Sequence, residues 1–92
     1  MPAFPEESRA RGAKGVAVAE LVFDPNGDVY RARILEAPDT PIKAAVLEAV
    51  KQWKFRPQFV DGSAVYIRGK LTFYYVINDR GEGVVNNPRQ VG

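Results

Sequence analysis

The chain has 92 residues, 46% of them hydrophobic and 26% charged, which describes one small folded domain rather than a disordered segment. Its formal charge of +2 is too small to argue for nucleic acid by itself, and no run of about 20 apolar residues is present to span a membrane. Cysteine and histidine are both absent, which excludes disulfides, Ser-His-Asp and Cys-His catalysis and the usual zinc sites.

Residues 5–12, Pro5-Glu6-Glu7-Ser8-Arg9-Ala10-Arg11-Gly12, predict a short helical turn. Proline first, acids early, arginines late and glycine after all suit a helix and its dipole. Residues 15–24, GVAVAELVFD, alternate as a strand, with Ala17, Ala19, Leu21 and Phe23 on one face and Val16, Val18, Glu20 and Val22 on the other. Asp24-Pro25-Asn26-Gly27 then predicts a type I turn whose glycine takes the left-handed position of a bulge. The returning strand, 28–36, places Tyr30, Ala32 and Ile34 on one face and Arg31, Arg33 and Leu35 on the other.

Thr40-Pro41 reads as an N-cap followed by proline at the first helical position. Ile42, Ala45, Val46, Ala49, Val50 and Trp53 then recur at the spacing of one helix face, with Lys43, Glu48, Lys51 and Gln52 away from it. Trp53 is expected to be mostly buried, plugging the end of the core. Phe55 and Pro57 follow in an extended segment that proline holds out of the helix, so all three are assigned structural roles. After the Asp61-Gly62 turn, residues 64–78 form the longest strand. Val65, Ile67, Gly69, Leu71, Phe73, Tyr75 and Ile77 face the core, while Tyr66, Arg68, Lys70, Thr72, Tyr74 and Val76 form a wet or half-wet face. From residue 79 turn formers dominate, so residues 1–78 form the domain and 79–92 a flexible tail. The fold class is α+β in two layers: a three-stranded antiparallel sheet with one main and one short helix on one face.

If the last strand lies at the side of the sheet, Val65, Tyr66, Ile67, Arg68, Gly69, Lys70, Leu71, Thr72 and Phe73 present backbone groups to which an extended peptide can pair. The alternative is an edge kept inert by Arg68 and Lys70. Arg31, Arg33, Arg68, Lys70, Tyr66 and Tyr74 share the outer face, and basic groups among aromatics can bind single-stranded nucleic acid. A solvated face accounts for the same residues, and no second βαβ unit is present to complete an RRM, so no nucleic-acid role is expected. The carboxylates, among them Glu6, Glu7, Glu20, Glu36 and Glu48, are not paired by any motif, and Gly81-Glu82-Gly83 lacks a strand-to-helix context for phosphate. Neither catalysis nor a cofactor is expected.

Several pieces recur in a known order: Phe4-Pro5-Glu6-Glu7 with Gly12 and Gly15, the Asp24-Pro25-Asn26-Gly27 hairpin, Trp53-x-Phe55-x-Pro57, and Asp61-Gly62 before the last strand. Together, over residues 3–77, the sequence resembles the C-terminal domain of the TonB family of periplasmic energy transducers. The resemblance implies a periplasmic domain, with an inner-membrane anchor and a proline-rich spacer upstream. It implies docking of the TonB box of outer-membrane transporters by strand addition on residues 65–73, with Phe4 and Pro5 helping to form the groove. It also implies an inner-membrane, proton-motive motor complex as a further partner, with force passed on for uptake of substrates such as siderophores. TonB-like domains are fused to other envelope proteins as well, so an interaction module of such a protein is the alternative. Monomer and strand-paired homodimer both stay open.

Overall fold

The computed structural model describes residues 1–87. Their order is α1 (Glu6–Ala10), β1 (Gly15–Phe23), β2 (Val29–Glu36), α2 (Thr40–Val50), β3 (Gln58–Val60), β4 (Ser63–Val65), β5 (Ile67–Ile77) and β6 (Gly83–Asn86). The α+β class with an antiparallel sheet and two helices is as the sequence implies. The strand count differs: the main sheet has four strands in the order β2-β1-β5-β6, and β3 and β4 form a separate two-stranded ribbon.

Strand β1 is the centre of the core because its alternation is uninterrupted. Ala17, Ala19, Leu21 and Phe23 are all buried, and they meet Ile42, Val46 and Val50 of α2 and Phe73 and Tyr75 of β5. Burying each of the larger aliphatic side chains stabilises the fold by about 1.5–3 kcal/mol relative to exposure. The N-cap of α2 is Asp39 rather than Thr40: its carboxylate accepts the Ile42 N–H at 3.0 Å, and also the Ser8 hydroxyl and the Arg11 guanidinium. Three donors converge on residue 39, so a carboxylate there satisfies more groups than the Thr40 hydroxyl would. The helix closes at Val50, where i→i+3 hydrogen bonds from Gln52 and Trp53 tighten the last turn.

The Asp24-Pro25-Asn26-Gly27 turn forms as its residues dictate. Gly27 has φ +87° and donates to the Asp24 carbonyl, while the Asp24 carboxylate accepts from the Asn26 and Asp28 N–H groups. A register shift follows at Val22/Phe23, where Phe23 pairs with Val29 and Tyr30 becomes the extra residue. The bulge turns Val29 toward the core and leaves Tyr30 exposed, its ring 5.3 Å from that of Tyr66. Tyr30 therefore does not share the inward face of Ala32 and Ile34, contrary to simple alternation.

The predicted strand 64–78 is divided. Ser63–Val65 pairs with β3 across the Asp61-Gly62 turn, whose residues both have positive φ, and Tyr66 separates it from β5. Part of the segment read as a tail is also structured: Gly83–Asn86 pairs with Tyr74–Ile77. Val85, opposite Tyr75, packs against the core while Val84 is exposed, and Gly83 admits the Phe4 ring, which lies 2.6 Å from where a Cβ would stand. The rest of the expected tail, residues 88–92, lies outside the described residues.

Candidate functional site

Strand β5 has unlike neighbours along its two sides. On one side it pairs with β1 from Ile67 to Tyr75; on the other, β6 reaches only from Ile77 back to Tyr74. Among the described residues, no strand pairs with the outer side of β5 from Ile67 to Phe73. In an antiparallel ladder alternate residues direct their N–H and C=O groups to each side, so half the backbone groups of this run face outward.

A groove of about 510 Å³ follows this edge. Gly69, Lys70, Leu71, Thr72 and Tyr74 supply its strand side, with Leu21 and Phe23 behind them. Trp53, Lys54 and Phe55 form the opposite wall, and Asn87 closes one end. The wall is positioned by two elements. The half-buried Trp53 ring sits edge-on to Phe73, with centroids 6.2 Å apart, at the end of the apolar helix stripe. Phe55 stacks on Phe23 at 5.1 Å, and its N–H donates to the Gly27 carbonyl at 2.8 Å. Lys54 adds an ion pair to Asp28 at 2.6 Å, and that hydrogen bond raises the lysine pKa above its ordinary value.

The open sheet face carries the basic and aromatic residues foreseen there. Glu20 stands between Arg33 on β2 and Lys70 on β5, and Val22 between Arg31 and Arg68. Arg33 reaches Glu20 at 2.8 Å; this hydrogen bond, against a smaller burial effect and aided by Arg68 and Lys70, holds the Glu20 carboxyl below its usual pKa. Arg31 lies 5.8 Å from the Tyr30 ring centroid. The cationic face is thus partly neutralised from within.

The residues expected to form the edge are distributed as follows. Ile67, Arg68, Gly69, Lys70, Leu71, Thr72 and Phe73 lie on the open run. Val65 is paired with Gln58 in the ribbon, and Tyr66 packs on Tyr30. Phe4 and Pro5 lie at the far end of β5: Phe4 meets Tyr75 edge-on at 5.1 Å and covers Gly83, and Pro5 caps α1. They do not line the groove described above. Trp53 is half-buried, less covered than its place in the helix stripe implied, and Phe55 is 43% exposed. Both keep a packing role and gain a second one as groove wall. That role was missed because Trp53-x-Phe55 reads as core; the signal available was an inward-facing glycine, Gly69, in an otherwise bulky strand row.

A family model described as Gram-negative bacterial TonB protein C-terminal matches residues 1–77. The chain is also 35% identical over 65 residues to the protein TonB of Vibrio cholerae serotype O1, an alignment covering 70% of this chain and 27% of that protein. The chain spans much less than two thirds of that relative.

Proposed function

The chain belongs to the TonB C-terminal family, and from that premise we propose that it docks an extended peptide, the TonB box of an outer-membrane transporter, as an added strand along Ile67–Phe73. On this reading the domain works in the periplasm, on a protein anchored in the inner membrane. It passes force drawn from the proton gradient to the transporter. The family is one of transducing and interaction domains, and no catalytic role is proposed.

The observation that carries the reading is the open run of β5 beside a groove walled by Trp53 and Phe55. Each backbone hydrogen bond formed there contributes about 0.5–1.5 kcal/mol net, so five or six residues give modest affinity. Modest affinity suits a coupling that must form and release. Docking an extended strand also buries apolar side chains against the aromatic wall, which supplies selectivity that backbone pairing lacks.

The test is an NMR titration of the ¹⁵N-labelled domain with a TonB-box peptide. Shifts concentrated in the Ile67–Phe73 amides and the Trp53 indole are the expected result. Shifts confined to Arg31 and Arg33, or none at millimolar peptide, would overturn it.

A further inference from the structure

We propose that Gly69 determines the specificity of this edge, by opening a slot for one bulky apolar side chain of the docked strand. The inference rests on the strand-docking reading and goes beyond it by naming the chemistry the groove selects.

The inward row of β5 is Ile67, Gly69, Leu71 and Phe73, opposite Phe23, Leu21, Ala19 and Ala17 of β1. Three of these four β5 positions hold large apolar side chains, and one holds none. A glycine inside a strand weakens it, by roughly 0.5–1 kcal/mol relative to alanine. The backbone does not require that cost here, because Gly69 is absent from the residues with positive φ. Sterics do not require it either: a Cβ at Gly69 meets nothing within 4 Å. Gly27 and Gly83, by contrast, are each held against a phenylalanine. What the missing side chain at Gly69 leaves is space, bounded by Trp53, Phe55 and Leu71 and facing the open edge.

An added strand alternates its side chains as β5 does. A residue placed beside Gly69 points inward, and a large apolar side chain there covers the glycine and fills the slot, as aromatic residues cover glycines across strand pairs. Its two neighbours point outward, beside Arg68 and Lys70. Among the described residues neither cation has a carboxylate within ion-pair distance; Glu20 gives its short contact to Arg33. The occupant is therefore an extended peptide with a bulky apolar residue flanked on both sides by acidic ones.

Calorimetric titration with three blocked octapeptides tests this: one alternating glutamate and threonine, the same with a central threonine replaced by phenylalanine, and the phenylalanine peptide with every glutamate replaced by lysine. On the native domain the phenylalanine peptide is expected to bind about tenfold tighter than the threonine peptide, and at least about tenfold tighter than the lysine peptide. In Gly69→Val, whose side chain occupies the slot, the phenylalanine preference falls to near unity while the threonine peptide still binds. Gly69→Ala, a smaller intrusion, gives an intermediate ratio; circular dichroism and melting establish that both variants are folded. Equal binding of the phenylalanine and threonine peptides to the native domain, or an unchanged preference in a folded Gly69→Val, overturns the slot. Equal binding of the lysine peptide overturns the acidic flanks. If none of the peptides binds the native domain, strand docking itself fails, and the slot with it.

Discussion

The Phe55 N–H donates to the Gly27 carbonyl oxygen at 2.8 Å, so the turn between β1 and β2 holds one wall of the groove in place. The approach is close enough that a methyl group at residue 27 would collide with the Phe55 carbonyl. The Asp28–Lys54 ion pair lies beside this contact, and Phe23–Phe55 stacking lies beneath it.

Gly27→Ala is therefore expected to cost about 2–4 kcal/mol, combining a left-handed backbone with overpacking. Gly62→Ala is the control: its φ is +82° but nothing lies within 4 Å of the added methyl, so it costs only about 1–2 kcal/mol. Denaturant unfolding of both variants measures the difference. Equal losses would mean that the contact with Phe55 contributes nothing.

Asp39 links the two helices, and its titration gives an acid-side prediction. Burial pushes its carboxyl up, but hydrogen bonds from the Ile42 N–H, the Ser8 hydroxyl and Arg11, with the charge of Arg11, outweigh that and hold its pKa below the ordinary value. A depressed carboxylate contributes stability that is complete above its unfolded pKa, about 3.9, and is lost as pH falls through the lower folded value. Asp39→Asn is expected to be less stable than the native domain near neutrality, with the gap closing below pH 4. Melting temperatures across pH 2–7 check this; a gap that does not change with pH would contradict it.

Tyr75 makes the corresponding prediction on the alkaline side. Its buried ring donates from the hydroxyl to the Ala3 carbonyl at 3.0 Å, and burial pushes its pKa to about 12. A raised pKa contributes stability that is complete below the unfolded value, about 10, and is lost as pH rises through the folded one. Native stability should therefore fall between about pH 10 and 12, and the fall should be smaller in Tyr75→Phe, which cannot ionise. That variant should also lose about 0.5–1.5 kcal/mol at neutral pH with its hydrogen bond. Tyrosinate absorbance and melting read both effects.

Strand pairing has a parity that side-chain contacts lack. N-methylation of the docking peptide at successive positions should alternate in effect, because only every second N–H faces β5. Methylation at those positions is expected to weaken binding tenfold or more, and at the intervening ones to leave it within about threefold. A series with no alternation would point to contacts through side chains alone.

Much of this architecture was legible because one face of β1 is fully buried and the other only half-buried. Ala17, Ala19, Leu21 and Phe23 show that directly, and Asp24-Pro25-Asn26-Gly27 specifies its own turn. The phase of β2 was not legible, since bulges at Tyr30 and at the Val18/Ala19 register shift insert residues that local alternation does not register. The break at Tyr66 is also invisible locally: β-formers run through it, and only the pairing of Val65 with Gln58 and the contact with Tyr30 separate ribbon from sheet. Strand β6 was hidden among turn-forming glycines and asparagines. As for the site, an available edge could be read from alternation and charge. Which part of it stays open depends on where β6 stops, and the wall opposite depends on Gly27 holding Phe55, a contact between residues far apart in sequence.

The central claim is that a peptide adds to β5 as a strand, and intermolecular nuclear Overhauser contacts in the complex with a TonB-box peptide test it most directly. The account predicts backbone-to-backbone contacts stepping in order along Ile67–Phe73, with slowed exchange at alternate amides of that run. Contacts gathered instead on the outer face around Arg31 and Arg33, with the β5 amides exchanging as in the free domain, would contradict it.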